Sequence, residues 1–186
     1  MEYIDVLNEV GNPTGKKKST EEIHSAGYWH WTVHVWIQNS KKELLIQKRG
    51  LNKTSHSSMW DISVAGHISA GENSIEAAMR ETEEEMGISF DKEEFIFLET
   101  IISNSVLNDG TYLNNEFQDI YFVESDHAIS DYKPQESEVS EIKFIPVQDL
   151  KKIISNNNPT FVPHPKEYEI LFKKLSQKDW QTIIFL

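Results

Sequence analysis

The chain of 186 residues contains no cysteine, which excludes a disulfide framework, a thiolate nucleophile and any cysteine-based zinc or iron–sulfur site. It also has no run approaching the roughly 18 apolar residues that a membrane-spanning helix requires, so no membrane partner is expected. The first residues, Met1-Glu2-Tyr3-Ile4-Asp5, carry acids where a secretory signal would be basic and then apolar, and the expected compartment is the cytoplasm. Positive charge is scarce: 18 Lys and Arg stand against 30 Asp and Glu, a net charge of −12. That balance repels phosphate backbones at long range and disfavours a nucleic acid duplex as partner; a small anionic ligand would need a metal ion or a local basic cluster. What is present, 38% hydrophobic and 11% aromatic residues, describes a chain that folds. Its length suits one core, and a single domain over residues 1–186 is expected.

Along the chain, Tyr3-Ile4-Asp5-Val6-Leu7 reads as a strand entering the turn-forming Asn8 to Pro13, an N-terminal hairpin. Lys16-Lys17-Lys18 reads as a solvated turn. From Tyr28 to Gln38 the residues alternate, with Trp29, Trp31, Val33, Val35 and Ile37 on one face and His30, Thr32, His34 and Trp36 on the other, a strand with one face in the core. His30 and His34 share a face and are able to line a pocket or bind a metal, but with no third ligand in view the residues favour hydrogen-bonded strand histidines. Glu43 to Arg49 is a second strand, Gly50 to Met59 a loop, and Trp60 to Ala65 is extended. Phe95 to Ile102, Glu116 to Val123 and Glu141 to Pro146 read as strands, Val147 to Ile154 and Lys166 to Leu175 as helices. Trp29, Trp31, Trp36 and Trp60 offer stacking surfaces for a base, although aromatics at strand spacing are more often core. The apolar tail from Asp179 to Leu186 is expected to pack on its own domain or across a homodimer interface.

Between Asn73 and Met86 the period becomes helical. Ile75, Ala78, Met79, Thr82 and Met86 share one face, Asn73 with Glu76 forms a capping box, and Gly87 stands where a helix ends. A second face gathers Glu81, Glu84 and Glu85. Like charges at this spacing cost roughly 0.2–0.5 kcal/mol per pair, so something should offset them. Clustered carboxylate oxygens suit Mg²⁺ or Mn²⁺, which often bridge to substrate phosphates; a solvated acidic face is the alternative.

The segment Gly66-His67-Ile68-Ser69-Ala70-Gly71-Glu72, seven further residues, then Arg80-Glu81-Thr82-Glu83-Glu84-Glu85-Met86-Gly87-Ile88 resembles the Nudix box, over residues 66–88. Only Thr82 departs from it, standing where a bulky apolar residue is usual. The resemblance implies a Nudix-type α/β/α sandwich with a mixed β-sheet, here carrying an N-terminal hairpin extension (1–27) and a C-terminal loop, helix and tail (155–186). It implies that Glu81, Glu84 and Glu85 bind the metal with the carbonyl of Gly66, and that Glu72 pairs with Arg80 to fix the loop to the helix. It implies hydrolysis of a phosphoanhydride bond with Mg²⁺ as cofactor. The ion neutralises the diphosphate and activates water.

Outside the box, Asp5 to Glu9, Gln47-Lys48-Arg49, Lys53 and Trp60 to His67 resemble the Nudix proteins related to isopentenyl-diphosphate isomerase. In those isomerases a catalytic cysteine precedes the Gly-His pair; here Ala65 does, which makes hydrolysis the leading expectation. The resemblance puts His67, His30 and Glu116 where isomerase metal ligands fall, with His24 one residue short in its spacing. Arg49 and Lys53 are the candidates for phosphate binding, against a reading in which Arg49 pairs with a box glutamate and Lys53 is solvated; His67 and Glu116 join them as candidate substrate-binding residues. The general base is sought among Glu81 and Glu84, or Glu116, Glu136 and Glu138 outside the box. The expected function is an Mg²⁺-dependent pyrophosphohydrolase acting on a nucleoside diphosphate derivative or a similar small diphosphate. The alternatives are an isomerase working without cysteine and a non-catalytic sensor of a diphosphate metabolite.

Overall fold

The computed structural model describes residues 2–177, so the apolar tail expected to pack lies outside the described residues. The elements run β1 (Tyr3–Leu7), β2 (Pro13–Ser19), α1 (Thr20–Ala26), β3 (Trp29–Gln38), β4 (Glu43–Arg49), β5 (Trp60–Asp61), β6 (Val64–His67), α2 (Ser74–Met86), β7 (Ile96–Leu107), β8 (Tyr112–Glu124), β9 (Val139–Pro146), α3 (Val147–Ser155) and α4 (Pro165–Ser176). Among the described residues the strands join one mixed sheet. β3 lies parallel to β8 and antiparallel to β6, β9 pairs with β4, and β7 extends the sheet beyond β8.

β3 organises the layers. Its Val33, Val35 and Ile37 pack against Ala77, Ala78 and Met86 of α2. Trp36, from the other face, packs with Ile120 and Phe122 of β8, Leu150 of α3, and Tyr168 and Leu171 of α4. The expectation of one core face is therefore corrected: helices cover the sheet on both sides, so both faces of this central strand are buried. The result is an α/β/α sandwich, as the resemblance implied.

α2 is bounded as its caps dictate. The Asn73 side chain accepts the Glu76 N–H at 3.1 Å, and the Glu76 carboxylate accepts back from the Asn73 N–H at 3.5 Å. Gly87 takes φ +64°, and a Cβ there would stand 2.6 Å from the Lys133 carbonyl oxygen, so only glycine fits. Thr82 is fully buried and its hydroxyl donates to the Ala78 carbonyl at 2.7 Å. A polar residue at this apolar position thus leaves no unpaired group.

Three further expectations change. Lys16, Lys17 and Lys18 are not a turn but part of β2, paired with Val6, Asp5 and Ile4; a run of three like charges is what made them look like a turn. α1 went unanticipated, although Ser19 and Glu22 form a capping box, because its seven residues are too few to show a period. β7 and β8 run 12 and 13 residues, well past the expected strands. Their polar extensions include Ser103, Asn104, Ser105 and Asn114, which line a large cleft.

Candidate active site

The cleft encloses about 1480 Å³. Its floor is the α4-facing side of β3 together with its parallel neighbour β8, whose register sets His30 beside Glu116, Thr32 beside Gln118 and His34 beside Ile120. α2 supplies an acidic edge, the loop after β4 a basic lip, and the approach to α4 a closing corner.

On the acidic edge, Glu81 and Glu85 are buried and Glu84 is exposed. A solvated acidic face is therefore excluded for two of the three. Arg80 holds the group together. Its Nε and Nη2 donate to the two Glu72 oxygens at 2.9 and 2.8 Å, and Nη1 donates to Glu81 at 2.8 Å and Glu84 at 3.1 Å. Nη2 also donates to the His67 carbonyl at 3.0 Å, and Glu72 accepts the Ser69 N–H at 3.0 Å, so this pair does tie the loop to the helix. Glu85 accepts from Gln47 Nε2 at 3.0 Å and from the Ala65 N–H at 3.3 Å. Burial pushes the Glu81 carboxyl up to about 7 despite Arg80. Burial, with Glu81 beside it, pushes Glu85 up to about 8. Two buried acids side by side repel each other once ionised, a repulsion that a cation bound between them would relieve. A Cβ at Gly66 would overlap the Glu81 carboxyl, so glycine leaves its backbone open to the same point. Buried carboxylates around bare backbone are a donor set that fits a hard divalent ion.

A second group joins His24 of α1, His30 of β3 and His67 of β6, with one ring nitrogen of each within 4.8 Å of the others. His24 Nε2 and His67 Nε2 face each other at 3.1 Å. His30 Nδ1 is bonded to the Tyr28 carbonyl at 3.0 Å, so Nε2 is the nitrogen left to face the cluster. That Nε2 is buried without a hydrogen-bond partner, 3.6 Å from Glu116. Burial and the neighbouring imidazoles lower His24 to about 4 and His67 to about 3. Burial would raise Glu116, but His30 holds it below the usual carboxylate range. Three imidazoles turned on one point beside a carboxylate are a donor set that fits a metal ion. His24, doubtful on spacing, is in the cluster because α1 swings it over β3.

The basic lip is already engaged. Arg49 pairs with Asp61 at 3.0 Å and with the Ser55 carbonyl at 3.2 Å, not with a box glutamate, and Lys53 is paired with Glu138 rather than solvated. Both line the cleft, as do Glu116 and Glu138; Glu136 is exposed and lies off it. None of the four tryptophans named above lines it either; Trp36 is core, and Trp60 lies under the Lys143 ammonium at 3.7 Å.

At the closing corner are residues that sequence reasoning passed over. His34 Nδ1 meets Glu167 Oε2 at 2.8 Å, Trp36 Nε1 donates to Glu167 Oε1 at 2.7 Å, and His164 Nε2 meets Asp61 Oδ1 at 2.7 Å. Burial would lower His164, yet Asp61 and Glu167 raise it to about 9. His34 was noticed on its strand; the acid of Asp61 inside an apolar stretch was the available signal for the rest. His164 and Glu167 lie over 100 residues from their partners and carry no local signature.

The NUDIX domain model matches residues 28–165. The chain belongs to the NUDIX domain family. It is 40% identical over 182 residues to Nudix hydrolase 3 of Arabidopsis thaliana, covering 95% of this chain but 24% of that protein. It is 34% identical over 185 residues to an uncharacterized Nudix hydrolase of Listeria monocytogenes, covering 100% of both. A more limited similarity, 31% over 96 residues, links it to isopentenyl-diphosphate Delta-isomerase of Escherichia coli, 52% of this chain and 53% of that one. Among solved structures, a Deinococcus radiodurans protein shares the fold with a TM-score of 0.71 at 20% identity, over 92% of this chain and 98% of the other. Nudix hydrolases act on diphosphate bonds, generally with a divalent metal. Among the described residues no helix is long and apolar enough to cross a membrane.

Proposed function

We propose that this Nudix protein is an Mg²⁺-dependent pyrophosphohydrolase that cleaves the phosphoanhydride bond of a small diphosphate, a nucleoside diphosphate derivative or a similar compound. The observation that carries this reading is the acidic edge: Glu81, Glu84 and Glu85 line the cleft with Gly66, and Glu81 and Glu85 are buried there side by side. In this reading those residues hold Mg²⁺ or Mn²⁺, which when bound neutralises the diphosphate and makes water a competent nucleophile near neutral pH. Arg80, anchored on Glu72, keeps Glu81 and Glu84 aimed at the cleft. Arg49 and Lys53 bind phosphate oxygens, Lys53 exchanging Glu138 for substrate, which frees the Glu138 carboxylate inside the cleft. Glu81, Glu84 and Glu138 are the candidates to take a proton from the attacking water; Glu116 accepts from Gln118 Nε2 at 2.7 Å.

A second reading, isomerisation of an isoprenoid diphosphate, draws on the His24, His30, His67 and Glu116 group, which we assign to a second divalent ion. Against it, Ala65 offers no proton-transfer group beside Gly66, and the chain contains no cysteine to replace it. The deciding experiment is phosphate release from nucleoside diphosphates, nucleotide sugars, dinucleoside polyphosphates and isopentenyl diphosphate, with Mg²⁺ or Mn²⁺ and with chelator. Metal-dependent release from one class supports hydrolysis and identifies the substrate group. Silence across the panel, with binding still visible by thermal shift, would overturn it in favour of a sensor.

A further inference from the structure

We propose that His34, His164 and Glu167 form a transition-metal site, best suited to Zn²⁺, at the corner of the cleft where α4 meets the sheet. This site is independent of the hydrolase reading. One ligating atom from each of the three lies within 4.8 Å of the others. Glu167 Oε2 is 2.8 Å from His34 Nδ1 and 3.7 Å from His164 Nδ1. Bonds of about 2.0–2.2 Å to a tetrahedral zinc would separate two ligands by about 3.4 Å, a value between those two distances, so small side-chain rotations bring the set to coordination.

The surrounding contacts are those that metal ligands need. A ligating histidine usually gives its other ring N–H to a carboxylate, which fixes the tautomer and strengthens the ligand. His164 does so through Nε2 to Asp61 at 2.7 Å, and Asp61 is itself held by Arg49 at 3.0 Å. The second oxygen of Glu167 is held by the Trp36 indole at 2.7 Å. Each of these two ligands thus has its outward atom tied and its inward atom turned to the common point. Glu167 is completely buried, and its bonded groups are an indole and an imidazole rather than a lysine or arginine. A buried carboxylate so placed costs several kcal/mol that an apolar side chain under α4 would avoid. Two imidazoles and one carboxylate form the three-ligand set of an open zinc site, and all three residues line the cleft, so a fourth ligand can enter from solvent or substrate. The set is too rich in nitrogen for Mg²⁺, which separates this site from the acidic edge.

The test is zinc stoichiometry of the chelator-stripped full chain, titrated with Zn²⁺ against millimolar Mg²⁺, with Co²⁺ absorption as a second readout. We expect a retained equivalent that survives His30→Gln, which dismantles the other histidine group, and that disappears in His164→Gln and in Glu167→Gln. In the unaltered protein, imidazole ¹⁵N resonances report the same point without any variant to fold: zinc should perturb His34 and His164 in addition to His24, His30 and His67. The proposal is overturned if His30→Gln abolishes all zinc retention, or if the His34 and His164 signals are unmoved at saturating zinc. In that event the corner is a hydrogen-bonded brace for α4 and nothing more.

Discussion

Glu85 and Glu167 are the same residue, both buried in the wall of one cleft, at 5% and 0% exposure, yet their environments push them in opposite directions. Glu85 rises to about 8 because burial is joined by the Glu81 carboxyl, with Lys53, the Gln47 amide and the Ala65 N–H in partial compensation. Glu167 falls below its ordinary value because His34 and His164 outweigh burial. Burial alone therefore does not decide whether a carboxyl is charged; the sign of its nearest neighbours does. In the proposed reading one end of the cleft takes a hard cation. The other supplies its own cation from imidazole, and a metal there must displace a proton.

The strongest test of this contrast is at the acidic end. Glu84→Gln or Glu85→Gln should cut hydrolysis at least about 100-fold with circular dichroism unchanged; turnover at the wild-type rate would refute the metal assignment. Arg80→Lys should lower turnover by about 10-fold, since lysine cannot reproduce the two-pronged grip on Glu72, and steady-state kinetics would show it. In metal-free protein, Glu167→Gln should cost about 1.5–3 kcal/mol in urea unfolding, the worth of hydrogen bonds to a charged group. Glu85→Gln at pH 8 should cost nothing or stabilise. Equal losses in both would erase the distinction drawn here.

The pH dependence follows with its sign. Folded Glu85 keeps its proton to about 8 against an ordinary 4.5, so its contribution to metal-free stability is present below 4.5 and is lost as pH rises through 8. His24 and His67 sit near 4 and 3 in the fold against an ordinary 6.5; their contribution is present above 6.5 and is lost as pH falls through those values. Mg²⁺ should accordingly raise the melting temperature more at pH 8 than at pH 5, because binding adds stability only where the ligands can ionise; an equal shift at both would contradict it. The smallest expected effect is that of Ala65→Cys, which should create no isomerase activity detectable by product analysis, because a thiol alone does not supply the rest of an isoprenoid pocket.

Much of this is legible in the sequence. The α2 boundaries followed from Asn73, Glu76 and Gly87, and the grouping of Glu81, Glu84 and Glu85 from the helical repeat, because caps and periodicity are local properties. The pairing of Glu72 with Arg80 came from the resemblance to the box. The choice between a solvated and a buried acidic face was not legible, since it depends on β6 and Gly66 covering Glu81 and Glu85. Arg49 shows the same limit: its charge was plain, but Asp61 became its partner only when β5 paired with β4.

What the chain determined by itself is therefore the helix α2, the carboxylates on one side of it, the alternation of β3 and the absence of thiol chemistry. These depend on residue identity and on spacings within a few turns or strand steps. What the tertiary structure alone decided is which ionisable groups meet. His24 reaches His30 and His67 through a short helix, and His164 and Glu167 reach Asp61 and His34 across more than 100 residues. No local repeat encodes such meetings, because they are fixed by the packing of α1 and α4 against the sheet, and that packing sets the charge each group carries.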